Sequence, residues 1–131
     1  MSLPIFHMVA GAPDPVAPFS HAVEQDGWVF VTGQMPFTGT ASDSSYPEGI
    51  EAQTRQVMDN LTGVLRGCGL GLGHVLAVRI FLTHFKDDYE RMNKVYAEYF
   101  PVDRRPARTC VGVTGLARDA RVEIDMIARR A

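Results

Sequence analysis

Residues 20–32 read Ser20-His21-Ala22-Val23-Glu24-Gln25-Asp26-Gly27-Trp28-Val29-Phe30-Val31-Thr32, and this stretch carries the strongest fold signal in the 131-residue chain. Two runs that resemble β-strands flank Asp26-Gly27, a dipeptide that favours the positive φ angles of a two-residue turn. The pattern predicts an antiparallel hairpin with strands at residues 20–25 and 28–32.

The segments that flank this hairpin carry fewer signs of regular structure. Residues 5–9 are predicted to form a short strand. Residues 11–18 contain three prolines, which oppose both helix and strand pairing, so an extended loop is expected there. Residues 33–47 are rich in glycine, serine, threonine and proline and lack periodicity, which predicts a surface loop.

Two helices are predicted from the spacing of apolar side chains. Residues 49–66 carry such side chains at helical intervals up to a cluster of glycines that begins at Gly67. Residues 86–100 do so up to Pro101, which ends the helix. The β-rich run at residues 74–83 separates the two helices and is predicted to be a strand.

Two more strands are predicted at residues 108–113 and 121–128, which gives the order β, β, β, α, β, α, β, β. This order indicates an α+β fold in which two helices cover one face of a mixed β-sheet. Residues 28–31 are apolar on both faces of their strand. The second sheet face is therefore expected to be covered by another copy of the chain, since a bare apolar face would promote aggregation.

Length, composition and charge restrict the class of protein. A chain of 131 residues with 46% hydrophobic content predicts a single domain spanning residues 1–131. The net charge of −2 gives no electrostatic footprint for nucleic acid. Two cysteines do not make a disulfide framework, so a reducing, cytoplasmic setting is expected. No apolar run approaches the roughly 20 residues that cross a bilayer.

Six short stretches form a recognisable series along the chain. In order they are Pro18-Phe19-Ser20-His21-Ala22-Val23, Phe30-Val31-Thr32-Gly33-Gln34, Gln53-Thr54-Arg55-Gln56-Val57-Met58-Asp59-Asn60-Leu61, Asn93-Lys94-Val95-Tyr96-Ala97-Glu98-Tyr99-Phe100-Pro101, Pro106-Ala107-Arg108-Thr109-Cys110-Val111 and Val122-Glu123-Ile124-Asp125-Met126-Ile127-Ala128. Together they resemble the reactive-intermediate deaminase family, also called RidA, YjgF or endoribonuclease L-PSP.

This resemblance implies a chorismate-mutase-like α+β fold and a homotrimer with one pocket at each subunit interface. It also implies an activity: hydrolysis of enamines and imines such as 2-aminoacrylate to 2-oxo acids and ammonia. The expected partner is thus a small carboxylated imine or enamine, with no metal or organic cofactor and no membrane or nucleic acid.

Arg108 is the first candidate catalytic residue. Its planar guanidinium presents paired donors that match both oxygens of a substrate carboxylate. The two-residue period of a strand places Arg108 and Cys110 on one face, with Val111 and Val113 on the other, so Arg108 is predicted to project away from the core. The alternative is a solvated arginine at a strand end. Cys110 matches the family's cysteine position and is interpreted as lining the pocket, not as a nucleophile.

Glu123 is the second candidate catalytic residue. It corresponds to the family's acidic residue and is interpreted as orienting or deprotonating the attacking water. Arg121, Glu123 and Asp125 form a polar row in the last strand, which must meet solvent, an interface or a pocket. The alternative is an exposed glutamate paired with Arg121 or Arg118.

Five further residues are candidate contacts to substrate or mark departures from the family. Thr32 and Gly33 match the family stretch where backbone amides meet the substrate, and a simple strand-ending glycine is the alternative for Gly33. Asn93 matches a pocket asparagine or is a helix-surface amide. Phe19 stands where many deaminases have tyrosine, which removes a hydroxyl. His21 replaces a common glutamine.

Three functions remain open from the sequence. The first is the deaminase. The second is a non-catalytic metabolite-binding trimer that senses a carboxylate, which the missing hydroxyl of Phe19 favours. The third is an endoribonuclease or translation inhibitor, which ranks last because the chain lacks a basic groove. His7, His74 and His84 show no spacing typical of a metal site.

Overall fold

In the computed structural model, which describes residues 3–39 and 45–131, the elements follow the predicted order β, β, β, α, β, α, β, β. The strands are β1 (Ile5–His7), β2 (Ala22–Gln25), β3 (Trp28–Gln34), β4 (Val75–Leu82), β5 (Ala107–Gly112) and β6 (Val122–Arg129), and the helices are α1 (Ile50–Gly67) and α2 (Phe85–Ala97). The predicted hairpin is confirmed as β2 and β3, with Asp26 and Gly27 at φ angles of 54° and 84°.

Some predicted bounds are wrong for local reasons. The first strand ends at His7, and the Val9 amide instead donates a hydrogen bond to Nδ1 of His21. The hairpin's second strand continues through Gln34, which pairs with Ile124 of β6, so the predicted loop begins two residues later. Residues 40–44 of that loop lie outside the described residues.

The second helix is shorter than predicted, and two short helical turns were not predicted at all. The helix ends at Ala97, because the amides of Glu98 and Tyr99 bond only three residues back. Short 3₁₀ helices occupy Leu72–His74 and Ala117–Asp119.

The strands form a mixed sheet in the order β1-β2-β3-β6-β4-β5. Neighbouring strands are antiparallel except β4 and β5, which are parallel because α2 connects them as a crossover. Strand β5 therefore lies at one edge of the sheet with α2 beside it.

Both helices pack on the same face of the sheet, as predicted. Val29, Ile80 and Ile124 point to this face and are fully buried against residues such as Leu61 of α1 and Met92 of α2. We call the opposite side the helix-free face; it carries Trp28, Phe30, Phe81, Val111, Glu123, Asp125 and Ile127. Large apolar side chains stay exposed there within this chain, among them Phe6 at 65%, Phe30 at 51%, Trp28 at 43% and Val111 at 42%.

The predicted orientation of Arg108 away from the core is wrong. Arg108 and Cys110 do share one face of β5, but they pair with Val78 and Ile80, whose side chains are buried beneath the helices. The face that holds Val111 is the exposed one. Arg108 thus lies under α2, on the helix-covered side of the sheet.

Candidate functional site

The Arg108 guanidinium is fixed by side chains of α2. One terminal nitrogen donates a hydrogen bond of 2.8 Å to Oδ1 of Asn93, and the other donates one of 3.4 Å to the Tyr89 hydroxyl. Its central carbon lies 5.1 Å from the ring centroid of Tyr96, within cation–π range. Further N–H groups of the guanidinium have no partner in the described chain and remain for an anion.

A cleft of about 340 Å³ opens beside this guanidinium. It is lined by Asn93, Tyr96, Ala97, Arg105, Pro106 and Arg108. The Tyr96 hydroxyl is buried and has no hydrogen-bond partner within residues 3–39 and 45–131. Burial raises the pKa of Tyr96 to about 12, although the positive charges of Arg108 and Arg105 act to lower it.

Cys110 follows Arg108 on the same face of β5 and packs against the core. Burial raises the pKa of its thiol, and the charge of Arg108 opposes this shift without reversing it. The thiol is therefore protonated at neutral pH, as expected for a side chain that forms a wall and not for a nucleophile.

Glu123 lies on the other side of the sheet from Arg108. Within β4, Ile80 pairs with both Cys110 and Ile124 on the helix-covered face. The next residue, Phe81, pairs with both Val111 and Glu123 on the helix-free face. The backbone of the sheet therefore separates the Glu123 carboxylate from the Arg108 guanidinium of the same chain.

The Glu123 carboxylate occupies the space above Gly33. Any Cβ atom at position 33 would collide with it, so glycine is what admits the glutamate side chain here. Burial raises the pKa of Glu123, the negative charge of Asp125 raises it further, and Arg79 opposes the shift. Asp125 itself is held by Arg79 in a two-point ion pair with distances of 3.0 and 2.6 Å.

The alternative in which Glu123 pairs with Arg121 is wrong. Arg121 instead donates two hydrogen bonds, of 2.8 and 2.9 Å, to the fully buried carboxylate of Asp88 in α2. The Arg121 side chain therefore lies against α2 and does not belong to the predicted polar row, of which Glu123 and Asp125 are the remaining members. Among the described residues, Glu123 makes no ion pair.

Comparison with known proteins assigns the family. The model of the family described as endoribonuclease L-PSP matches residues 9–130. The chain belongs to this family. Its sequence is 37% identical over 117 residues to a RutC family protein of Pyrococcus horikoshii, covering 89% of this chain and 90% of that protein. It is 40% identical over 119 residues to protein DfrA of Myxococcus xanthus, covering 89% and 88%.

Solved structures of the L-PSP family share the fold. The yeast protein YEO7 superposes with a TM-score of 0.90 at 30% identity, covering 98% of this chain and 100% of that one. YyfA of Yersinia pestis, described as a member of the conserved Rid family, gives 0.87 at 31% identity over 97% and 99%. Escherichia coli TdcF, solved with bound serine, gives 0.83 at 27% identity over 95% and 99%. The resemblance to the RidA and YjgF proteins is confirmed, as is the α+β fold.

The candidate site residues fall into two groups in the single chain. Arg108, Asn93 and Cys110 gather on the helix-covered face at the sheet edge. Gly33 and Glu123 meet on the far side, and Gly33 also lines a small depression together with Phe19, Met35 and Phe37.

Thr32 differs from its expected role. Its backbone N–H donates to the His21 carbonyl and its hydroxyl donates to the Ser20 carbonyl, at 3.0 and 2.6 Å. The amide expected to meet substrate is therefore already occupied within the chain.

His21 fastens the loop that carries Phe19. Its Nδ1 accepts the Val9 N–H and its Nε2 donates to the Pro13 carbonyl, each at 2.8 Å. The ring thus links the backbone at Val9 to the backbone at Pro13.

Tyr89, Tyr96 and Arg105 were not among the predicted site residues. Tyr89 and Tyr96 belong to the helix that apolar spacing predicts at residues 86–100, and Tyr96 is buried, as that spacing predicts. Tyr89 lies four positions before Asn93 and Tyr96 three positions after it. This spacing places Tyr89, Asn93 and Tyr96 on one face of α2, and it can be read from the sequence alone.

Within the described ranges, no group of three potential metal ligands exists. No helix in those ranges is long and apolar enough to span a membrane.

Proposed function

We propose that this protein hydrolyses small carboxylated imines and enamines to 2-oxo acids and ammonia. The observation that carries the proposal is the Arg108 guanidinium, which Asn93 and Tyr89 hold in place at the wall of a 340 Å³ cleft. A fixed guanidinium with free donors is suited to a carboxylate. The related protein TdcF was solved with serine, an amino acid that carries a carboxylate.

The active unit in this proposal is an oligomer, and a homotrimer fits the family. Arg108 and Glu123 of one chain lie on opposite sides of the sheet, so they can act on one substrate only if a second copy supplies one of them. The helix-free face exposes the apolar side chains of Trp28, Phe30 and Val111, and binding of another copy would remove this apolar surface from water.

In the proposed reaction, Arg108 binds the substrate and Glu123 transfers protons. Arg108 binds the carboxylate next to the carbon–nitrogen double bond, which reacts in its protonated, iminium form; an enamine reaches this form when its β-carbon takes a proton from solvent. Glu123 of the neighbouring copy accepts a proton from water as the water oxygen bonds to the imine carbon and the π electrons move to nitrogen. Glu123 then returns this proton to the nitrogen of the carbinolamine, the hydroxyl group loses its proton to solvent water as the carbon–oxygen double bond forms, and the carbon–nitrogen bond breaks to release ammonia. The raised pKa of Glu123 makes it a stronger base than an exposed glutamate.

The test uses 2-aminoacrylate produced in place by a serine or cysteine lyase, with release of the 2-oxo acid followed over time. Arg108→Ala is expected to lower kcat/KM by about a hundredfold, and Arg108→Lys is expected to recover only part of it, because a lysine lacks the paired donors. Arg55→Ala is the matched control, since Arg55 lies in an exposed ion pair with Glu98. Equal rates for wild type and Arg108→Ala would contradict the deaminase.

A metabolite-binding trimer without turnover is the second candidate. Phe19 lines the depression next to Gly33, and its phenyl ring offers no hydroxyl to a ligand there. Calorimetry with pyruvate and 2-oxobutyrate separates the two functions: tight binding without hydrolysis of any imine favours the sensor.

A further inference from the structure

The cleft beside Arg108 contains a second arginine. Arg105 lines the same cleft, three positions before Arg108, while its neighbour Arg104 does not. Arg105 is exposed, and within residues 3–39 and 45–131 it makes no ion pair and no hydrogen bond. The other lining residues include no carboxylate that would neutralise the two guanidinium groups.

Both positive charges act on the same small volume. The Tyr96 hydroxyl beneath the cleft is influenced by Arg108 and by Arg105, each of which lowers its pKa against the larger effect of burial. Three residues of extended chain span at most about 10 Å, and both side chains are long, so the two guanidinium groups can contact opposite ends of one short molecule.

We propose that the cleft selects substrates with two carboxylates, with Arg108 binding the carboxylate next to the carbon–nitrogen bond and Arg105 the distal one. This inference rests on the proposed deaminase for its chemistry and narrows the substrate class to imines of dicarboxylic amino acids. The two arginines have different tasks. Arg108 is held by α2 and orients the reacting end, whereas the exposed Arg105 discriminates between substrates.

The expected size of the effect follows from exposure. A charge-assisted contact to an exposed side chain is weaker than a buried one and is screened by salt, so a preference of about tenfold is expected at low ionic strength. The preference is expected to shrink as salt is added.

The kinetic test compares two imines made in place by amino-acid oxidases, iminosuccinate from aspartate and 2-iminopropionate from alanine. Arg105→Gln is expected to lower the ratio of their kcat/KM values about tenfold, mainly through KM, and Arg105→Lys is expected to restore most of it. Arg104→Gln is the matched control because it removes an adjacent positive charge outside the cleft. The inference is overturned if the ratio is unchanged in Arg105→Gln, or if Arg104→Gln lowers it equally.

A binding measurement separates failure of this inference from failure of the deaminase. Calorimetric titration with succinate and with propionate requires no turnover. Wild type is expected to bind succinate about tenfold more tightly than propionate, and Arg105→Gln is expected to lose this preference. Equal affinities in wild type overturn the dicarboxylate inference even where imines are hydrolysed. Absence of hydrolysis with the succinate preference intact overturns only the deaminase.

Discussion

Arg108 and Glu123 lie on opposite faces of one sheet, a consequence of the registers in which β5 and β6 pair with β4. The two candidate catalytic residues are therefore separated in a single chain by the sheet itself. A site that uses both needs two copies, each contributing a different face.

Mixing two inactive variants tests this arrangement. Arg108→Ala and Glu123→Gln are each expected to be nearly inactive alone. When they are unfolded together in equal amounts and refolded, a pocket is complete if one copy keeps Arg108 and its neighbour keeps Glu123, so about a quarter of the pockets recover activity. Separately refolded variants mixed afterwards are the control. No recovery after joint refolding would place both residues of a pocket on one chain.

Glu123 is expected to reduce stability while it supports catalysis. The pKa of Glu123 is raised in the folded chain, so the folded state favours the protonated carboxyl group. Below the pKa of the unfolded state, Glu123 is protonated in both states and does not reduce the free energy of unfolding. As the pH rises through the folded-state pKa, the carboxyl group ionises in the fold as well and the free energy of unfolding falls. Glu123→Gln removes this penalty. The variant is therefore expected to melt at a higher temperature than wild type at pH 7. This difference in melting temperature is expected to vanish below about pH 4, where Glu123 is protonated in both states.

The activity of wild type is expected to follow the same ionisation. The acidic limb of its kcat/KM profile should lie above the pH at which an ordinary glutamate titrates, because burial and Asp125 both favour the protonated acid. Asp125→Asn removes one of these two causes and should shift the limb to lower pH. A limb that stays in place or moves upward would argue against Glu123 as the base.

Gly33 is expected to control where the Glu123 carboxylate lies. A side chain at position 33 collides with that carboxylate, so Gly33→Ala should displace it and lower kcat about tenfold or more, with the fold intact by circular dichroism. Gly63→Ala in α1 is the matched control, because open space surrounds this position. It should raise the free energy of unfolding by about 0.5–1 kcal/mol and leave activity unchanged. Equal activity in the two variants would contradict the proposed role of Gly33.

The sequence predicts the elements well because their signals are local. Asp26-Gly27 determines the hairpin turn by its own φ preferences, and the helices follow from apolar spacing. The faces of β5 are different. Val111 is apolar, so its side chain was expected on the core side of β5, yet it is exposed. The register in which β5 pairs with β4 decides which face of β5 lies against the core. That pairing joins residues some 30 positions apart and is invisible to local patterns.

The candidate site was predictable only residue by residue. Motif matching selects Arg108, Asn93 and Glu123, but their division between two faces depends on strand order and register, which are long-range properties. The partner of Arg121 was missed for the same reason. Its carboxylate, Asp88, comes from a helix more than 30 residues earlier and is paired with Arg121 through packing of α2 on the sheet.

The ion pair between Asp88 and Arg121 is expected to stabilise the placement of α2, and with it Tyr89 and Asn93. Asp88 is fully buried and receives two hydrogen bonds from Arg121, so Asp88→Ala leaves a partly buried guanidinium without its partner. We expect the free energy of unfolding to fall by about 3 kcal/mol, measured by urea denaturation. Glu98→Ala breaks an exposed pair with Arg55 and should cost less than about 1 kcal/mol. If both variants lose the same stability, burial of the Asp88 pair does not contribute as argued.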